Sequence, residues 1–160
     1  SDLSQRQPDA SYAAAVFTID DLDTIASNMG HDVAQEIIRS LGSYINKHFG
    51  AVGGFSSRQT INEYATVLPY SNLEESEKIM KDFTKDFKEQ GIKGYEEHEI
   101  YEIDSNVDIG DSSGEYVDFS VLAGLAQGKP QIEIESVMEF ARFNQKELAR
   151  FRCARGGKTK

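Results

Sequence analysis

Two long segments with helical periodicity, separated by short strand-like runs, constrain the fold of this chain most. The first covers residues 31–49, where one face carries Ala34, Ile37, Ile38, Leu41 and Ile45. The second follows Asn72, a favourable N-cap residue with Glu75 three positions later, and ends at Gly91. We therefore expect two amphipathic helices that each need an apolar surface to cover.

Three runs between and around these segments have the composition of buried strands. They are YAAAVFTI at residues 12–19, EYATVL at 63–68 and VDFSVLAGL at 117–125. Residues 20–28 indicate a short helix or turn, and residues 95–103 alternate as a solvated strand or hairpin would. The order of elements predicts a sandwich of the α/β or α+β class, a sheet with helices packed on it.

A last helix is expected from about Glu133. The residues assigned to one of its faces are Val137, Met138, Ala141, Leu148 and Phe151. The last part of this segment also carries the basic residues Arg150 and Arg152.

The length of 160 residues favours one domain. We expect a linker or the end of a preceding segment at residues 1–12, the domain at 13–153 and a basic tail at 154–160. Since the sequence begins with Ser, we expect it to be a piece of a longer protein. Residues 92–116 are expected to form an acidic hairpin or loop insertion. A calcium loop is disfavoured because residues 96–118 lack the spacing of an EF-hand.

Charge and cysteine content exclude several classes of function. Acidic residues number 27 and basic residues 17, so the net charge is −10, and a surface this acidic repels nucleic-acid phosphates. The lone Cys153 excludes an internal disulfide and a zinc site built from cysteines. It fits a reducing compartment, and we expect the cytoplasm. No apolar run approaches the roughly 18–20 residues of a membrane span, so no membrane insertion is expected from this segment.

Two segments resemble the GGDEF domain, the family of diguanylate cyclases. FTIDDLDTIASNMGHDVAQEII at residues 17–38 resembles DxDxFKxxNDxxGHxxGDxxL, and RQTINEYATVLP at 58–69 resembles RxGGDEFxxxLP without a gap. Further resemblance to the family's later helices and strand brings the coverage to most of residues 14–152. The resemblance implies a palm-like α+β sandwich with a central, mostly antiparallel sheet flanked by helices.

The resemblance also implies a reaction, the joining of two GTP molecules into cyclic di-GMP. That chemistry needs carboxylates for divalent metal and bare backbone beside the phosphates. Here the first metal-binding Asp of the family is Thr18, the two signature glycines are Thr60 and Ile61, and the acid of the signature is Asn62. Of these positions only Glu63, with the aromatic residue after it, is retained.

The positions that read guanine and hold phosphate are also changed. The guanine-reading Asn and Asp of the family fall on Ala26 and Gln35, and its Lys and Arg of the last helix fall near Ala149 and Cys153. The family's inhibitory cyclic di-GMP site, RxxD, reads AVGG at residues 51–54 and is therefore absent. The acids at positions 20, 21 and 23 could form a remnant metal patch, but a solvated helix start is favoured.

These losses predict a degenerate GGDEF domain without cyclase activity, metal or cofactor. It would be a regulatory signalling domain that acts through a protein partner or through self-association. Three alternatives stay open: an allosteric receptor for GTP or a related nucleotide, a working cyclase with substituted ligands, and a coincidental register in another palm-like or ferredoxin-like domain.

Overall fold

The structure is a computed structural model and describes residues 11–93, 98–104 and 116–155. Its strands are β1 (Tyr12–Asp20), β2 (Phe55–Thr60), β3 (Glu63–Pro69), β4 (His98–Ile103), β5 (Tyr116–Gly128) and β6 (Lys146–Arg155). Its helices are α1 (Leu22–Met29), α2 (His31–His48), α3 (Leu73–Gln90) and α4 (Ile134–Phe143), with a 3₁₀ turn at Gly50–Val52.

The strands form one six-stranded sheet in the order β2-β3-β1-β5-β6-β4. Each described pair of neighbouring strands is antiparallel. On the central strands, Thr18 of β1 lies opposite Glu63 on β3 and Leu122 on β5. The expected α+β sandwich with a central antiparallel sheet is therefore confirmed, and β2 with β3 forms the hairpin on which the resemblance depends.

One face of the sheet carries the main core and is covered by α1, α2 and α3. Phenylalanine rings run through it: Phe17 lies 5.0 Å from Phe83, and Phe87 lies 5.3 Å from Phe151 between ring centroids. Each of these rings is fully buried. Burying a side chain of this size contributes roughly 1.5–3 kcal/mol, so the aromatic residues hold the two layers together.

The opposite face is covered by α4 and has a smaller core. Its buried residues are Ala14, Val16, Ala65, Ala126, Val137 and Ala141. Because most of these side chains are short, α4 lies close to the sheet backbone. Gly124 of β5 permits the closest approach, since a Cβ added there would lie 2.0 Å from the carbonyl oxygen of Ala141 and 2.7 Å from the backbone nitrogen of Gln145.

Local sequence signals account for the helix boundaries. The Asn72 side chain accepts a hydrogen bond from the backbone of Glu75, whose carboxylate accepts one from the Asn72 backbone, so the expected capping box at the start of α3 is confirmed. Gly30, with φ of 107°, makes the corner between α1 and α2, a conformation that favours glycine.

The expected last helix is wrong in its second half. Helix α4 ends at Phe143, and residues Lys146–Arg155 form strand β6 in the interior of the sheet. Leu148 and Phe151 therefore do not continue the face of α4, and Phe151 instead belongs to the main core. Long-range pairing with β4 and β5 outweighs the helical spacing of these residues.

Parts of the expected domain layout fall outside the described residues. This holds for residues 1–10 of the expected linker, most of the acidic insertion and residues 156–160 of the basic tail. Of the acidic insertion, His98–Ile103 is strand β4 at the edge of the sheet. No helix in the described part of the chain offers an apolar stretch of membrane-spanning length.

Candidate functional site

The turn of the β2–β3 hairpin lies beside the end of β1. The backbone nitrogen of Ile19 donates to the carbonyl oxygen of Asn62 at 3.0 Å, and the Asn62 side-chain nitrogen Nδ2 donates to the carbonyl oxygen of Ile19, also at 3.0 Å. The Asn62 side-chain oxygen accepts from the Thr60 hydroxyl at 2.9 Å. Both ends of the Asn62 amide are thus engaged within the protein.

The hairpin turn is held by Arg58. Its guanidinium donates to the carbonyl oxygens of Thr60 at 3.3 Å and Ile61 at 3.1 Å. Positive φ among non-glycine described residues is confined to Asp21 and Tyr70, so Thr60 and Ile61 keep ordinary backbone conformations. The Ile61 side chain is 63% exposed at the turn.

Glu63, at the start of β3, forms a two-pronged ion pair with Arg142 in the last turn of α4. Arg142 Nε lies 2.9 Å from Glu63 Oε2, and Nη2 lies 3.1 Å from Oε1. The Glu63 side chain is 11% exposed and that of Arg142 38%. Hydrogen bonding to the Glu63 carboxylate raises the pKa of Arg142. Both carboxylate oxygens therefore face a permanent cation.

Thr18 is held by Gln145, which lies two residues after the end of α4. The side-chain nitrogen Nε2 of Gln145 donates to the Thr18 hydroxyl oxygen at 2.8 Å and to the carbonyl oxygen of Val16 at 3.1 Å. Asn144 adds a hydrogen bond from its Nδ2 to the carbonyl oxygen of Leu125 at 2.8 Å. These contacts fix the end of α4 over the strand ends that carry Thr18 and Glu63.

The structure thus brings Thr18, Asn62 and Glu63 to one end of the sheet. Ala26 and Gln35 lie on α1 and α2, the helices of the opposite face, with Ala26 half-buried against the main core and Gln35 exposed. Within residues 11–93, 98–104 and 116–155, the structure contains no cluster of three or more His, Cys, Asp or Glu side chains arranged to hold a metal ion.

The expected neighbourhood of the last basic positions is corrected by the structure. Ala149 and Cys153 lie in β6, where they are 5% and 0% exposed in the main core. The basic residue that contacts the hairpin from α4 is Arg142. The sequence did not indicate it, because the expected last helix continued past Phe143 to Phe151. The alternation of Arg150, Phe151, Arg152 and Cys153 was the available signal for a strand.

Solved structures of other proteins share this arrangement of strands and helices. One is the GGDEF domain of DgcB from Caulobacter crescentus in complex with c-di-GMP. The match has a TM-score of 0.63 and 21% sequence identity, and it covers 88% of this chain and 72% of that chain. This chain has the GGDEF fold. The fold is also similar to that of the active GGEEF domain of a diguanylate cyclase from Vibrio cholerae. This match has a TM-score of 0.61 and 15% sequence identity, and it covers 88% of this chain and 76% of that chain.

A third structure with the GGDEF fold is diguanylate cyclase SiaD from Pseudomonas aeruginosa in complex with its activator SiaC. There the TM-score is 0.57 and the identity 15%, with 88% of this chain and 46% of that chain matched. No family model matches the sequence, and no curated protein matches it either. The likeness lies in the tertiary structure.

Proposed function

We propose that this chain is a catalytically inactive GGDEF-fold signalling domain that regulates through contact with a protein partner or through self-association. The compartment we propose is the cytoplasm, on the ground of the lone reduced cysteine. The proposal rests on the chemistry at the β2–β3 hairpin.

The observation that carries the proposal is the ion pair between Glu63 and Arg142. A divalent cation binding at Glu63 would have to displace a guanidinium that occupies both carboxylate oxygens. The displaced positive charge would then stand beside the incoming metal and repel it. Thr18 and Asn62, whose side chains are neutral, supply no compensating charge.

The neighbouring polar groups support the same proposal. The Thr18 hydroxyl accepts from Gln145, and the Asn62 amide bonds to Ile19 and Thr60. Binding a triphosphate here would require these hydrogen bonds to break, at a net cost of about 0.5–1.5 kcal/mol each. The polar groups at this end of the sheet are therefore hydrogen-bonded to one another and stabilise the fold.

A role in protein contact is consistent with a structure of the same fold. SiaD, a diguanylate cyclase, forms a complex with its activator SiaC. By analogy of fold alone, we propose that this domain also binds a protein partner.

The test of inactivity is incubation of the chain with GTP and Mg²⁺ or Mn²⁺, followed by detection of cyclic di-GMP. We expect no product above the protein-free control, while the Vibrio cholerae GGEEF domain serves as the positive control. Product formed by this chain and lost on Glu63→Gln would contradict the proposal.

The second candidate function is an allosteric receptor for GTP or a related nucleotide. The feature that favours it is Arg142, whose side chain is 38% exposed and whose guanidinium could exchange Glu63 for a phosphate. Calorimetric titration with GTP and Mg²⁺ separates the two candidates. Micromolar binding that is lost on Arg142→Ala would favour the receptor, and absence of heat would favour the inactive domain.

A further inference from the structure

Helix α4 has two apolar faces, and the sheet covers one of them. Val137 and Ala141 are fully buried against the sheet. On the solvent side Phe140 is 57% exposed and Phe143 is 88% exposed. Single exposed apolar residues are common on protein surfaces, but two aromatic rings one turn apart form a patch.

The exposed residues have the spacing of a helix-packing surface. Ser136, Phe140 and Phe143 stand at positions i, i+4 and i+7 and line up as one stripe along α4. Arg142 leaves the helix on another flank, where it reaches Glu63 on β3. The small Ser136 beside two large rings provides the ridge and groove that a second helix can fit.

Apart from Arg142, the charged residues of α4 and of its N-cap are acidic. Glu133, Glu135 and Glu139 are exposed along the same helix. The basic residue of its last turn, Arg142, is bound to Glu63. The chain as a whole has a net charge of −10. The surface of α4 is therefore aromatic along its middle and acidic beside it.

We infer that the Ser136–Phe140–Phe143 stripe is the docking site for an amphipathic helix of a partner protein, with Lys or Arg flanking its apolar ridge. This inference rests on the proposed function, since it names the surface through which the domain makes protein contact. The stripe runs along one helix at helical spacing, which fits a helix rather than an extended peptide.

Charge complementarity selects this occupant over two others. A second copy of the chain would bring the same three glutamates against these and add like-charge repulsion. An anionic lipid surface would be repelled for the same reason. A helix with basic flanks gains from both the aromatic stripe and the glutamates.

The test uses the whole chain and a fluorescent synthetic peptide of about five helical turns, with a leucine ridge flanked by lysines. Fluorescence anisotropy at physiological salt measures binding. We expect micromolar binding, weakened about tenfold by Phe140→Ser/Phe143→Ser and by Glu135→Lys/Glu139→Lys. The matched control is Val52→Ser/Phe55→Ser, which removes exposed apolar side chains elsewhere (55% and 60% exposed) and should leave binding unchanged.

Three peptides make the result specific. A peptide with glutamates in place of the lysines should bind the unmodified chain poorly and the Glu135→Lys/Glu139→Lys variant well. A scrambled peptide of the same composition should bind neither. Equal binding of the scrambled peptide, or equal loss in the Val52/Phe55 control variant, would overturn the inference. So would an unchanged affinity in the Phe140/Phe143 variant.

Further measurements separate failure of this inference from failure of the proposed function. Vesicles of phosphatidylcholine and phosphatidylserine that bind through Phe140 and Phe143, without peptide binding, would assign the stripe to a membrane and overturn the inference. Light scattering that detects a dimer broken by the Phe140/Phe143 substitutions would assign it to self-association, overturning the inference and leaving the proposed function standing. Cyclic di-GMP production would overturn the proposed function instead.

Discussion

Arg142 holds both carboxylate oxygens of Glu63, at 2.9 and 3.1 Å, across the gap between the last turn of α4 and the start of β3. The two residues are 79 positions apart in sequence, so the contact depends on α4 lying over the sheet. It joins the retained acid of the hairpin to a cation of the protein itself. A metal ion would need the same oxygens.

Removing Arg142 should destabilise the domain. In Arg142→Ala the Glu63 carboxylate, 11% exposed, is left without its partner, and we expect a loss of about 1–3 kcal/mol in unfolding free energy. Urea unfolding measures it. Arg39→Ala, which breaks a surface pair with Glu36 in which the Arg39 side chain is 66% exposed, is the control and should cost about 0–1 kcal/mol. An equal loss in both variants would show that the Glu63–Arg142 pair has no special weight.

Gly124 should not tolerate a side chain. A methyl group there would lie 2.0 Å from the Ala141 carbonyl oxygen, so Gly124→Ala must push the end of α4 away from β5. We expect a loss of about 1–3 kcal/mol or more, measured by urea unfolding. In the control Gly50→Ala, the new methyl group meets the movable end of the Asn46 side chain at 2.7 Å, and a much smaller loss is expected. An unchanged unfolding free energy in Gly124→Ala would contradict this prediction.

Two phenylalanines with opposite exposure should differ sharply in their effect on stability. Phe83 is fully buried between Phe17 and Phe87, and Phe83→Ala is expected to cost about 3–5 kcal/mol. Phe143 is 88% exposed, and Phe143→Ala should change stability by about 0.5 kcal/mol or less. Thermal and urea unfolding compare them. A large loss from Phe143→Ala would indicate that its ring packs against the domain.

Cys153 should be unreactive in the folded domain. Burial raises the pKa of its thiol from 9.0 to about 11. The neutral thiol therefore stabilises the fold fully below pH 9.0, and this contribution is lost as the pH rises towards about 11. A chromogenic thiol reagent should titrate no thiol in the native chain and one after unfolding in urea. Cys153→Ala should lose less stability than the unmodified chain over the same rise in pH. An identical decline in both would refute this prediction.

Asp86 should contribute to stability in acid. Hydrogen bonds from Lys47 and His48, each at 2.8 Å, lower its pKa below the usual 3.8. A lowered pKa gives stability that is present above pH 3.8 and lost as the pH falls through the value in the folded state. In Asp86→Asn the unfolding free energy should therefore fall less steeply with decreasing pH than in the unmodified chain. A fall in Asp86→Asn as steep as that of the unmodified chain would contradict this prediction.

Sequence periodicity was sufficient for elements whose local signals agree with their packing. Helix α3 begins at the Asn72 capping box and ends at Gly91, as expected, because the hydrogen bonds that set both ends are local. Strand β1 follows the apolar run from Tyr12 for a different reason: the run is apolar on both faces of a strand, and five consecutive residues of it are buried in the sheet.

The C-terminal part of the chain shows where such reasoning fails. The spacing of Val137, Ala141, Leu148 and Phe151 fits one helix, yet Phe151 belongs to a strand between β4 and β5. Strand pairing depends on partners at a distance in the chain, and a window of periodicity does not contain them. The same helical interpretation placed the last basic positions of the site near Ala149 and Cys153, whereas Arg142 is the residue that contacts Glu63.

By itself the sequence determined that the hairpin has no glycine pair and that Thr18 and Asn62 are neutral where carboxylates would be needed. Those facts are chemical and need no coordinates. Only the tertiary structure decided what the remaining acid does. Glu63 meets Arg142 because Gly124 lets α4 rest against the sheet, and a contact made through three separate elements cannot be derived from any one of them.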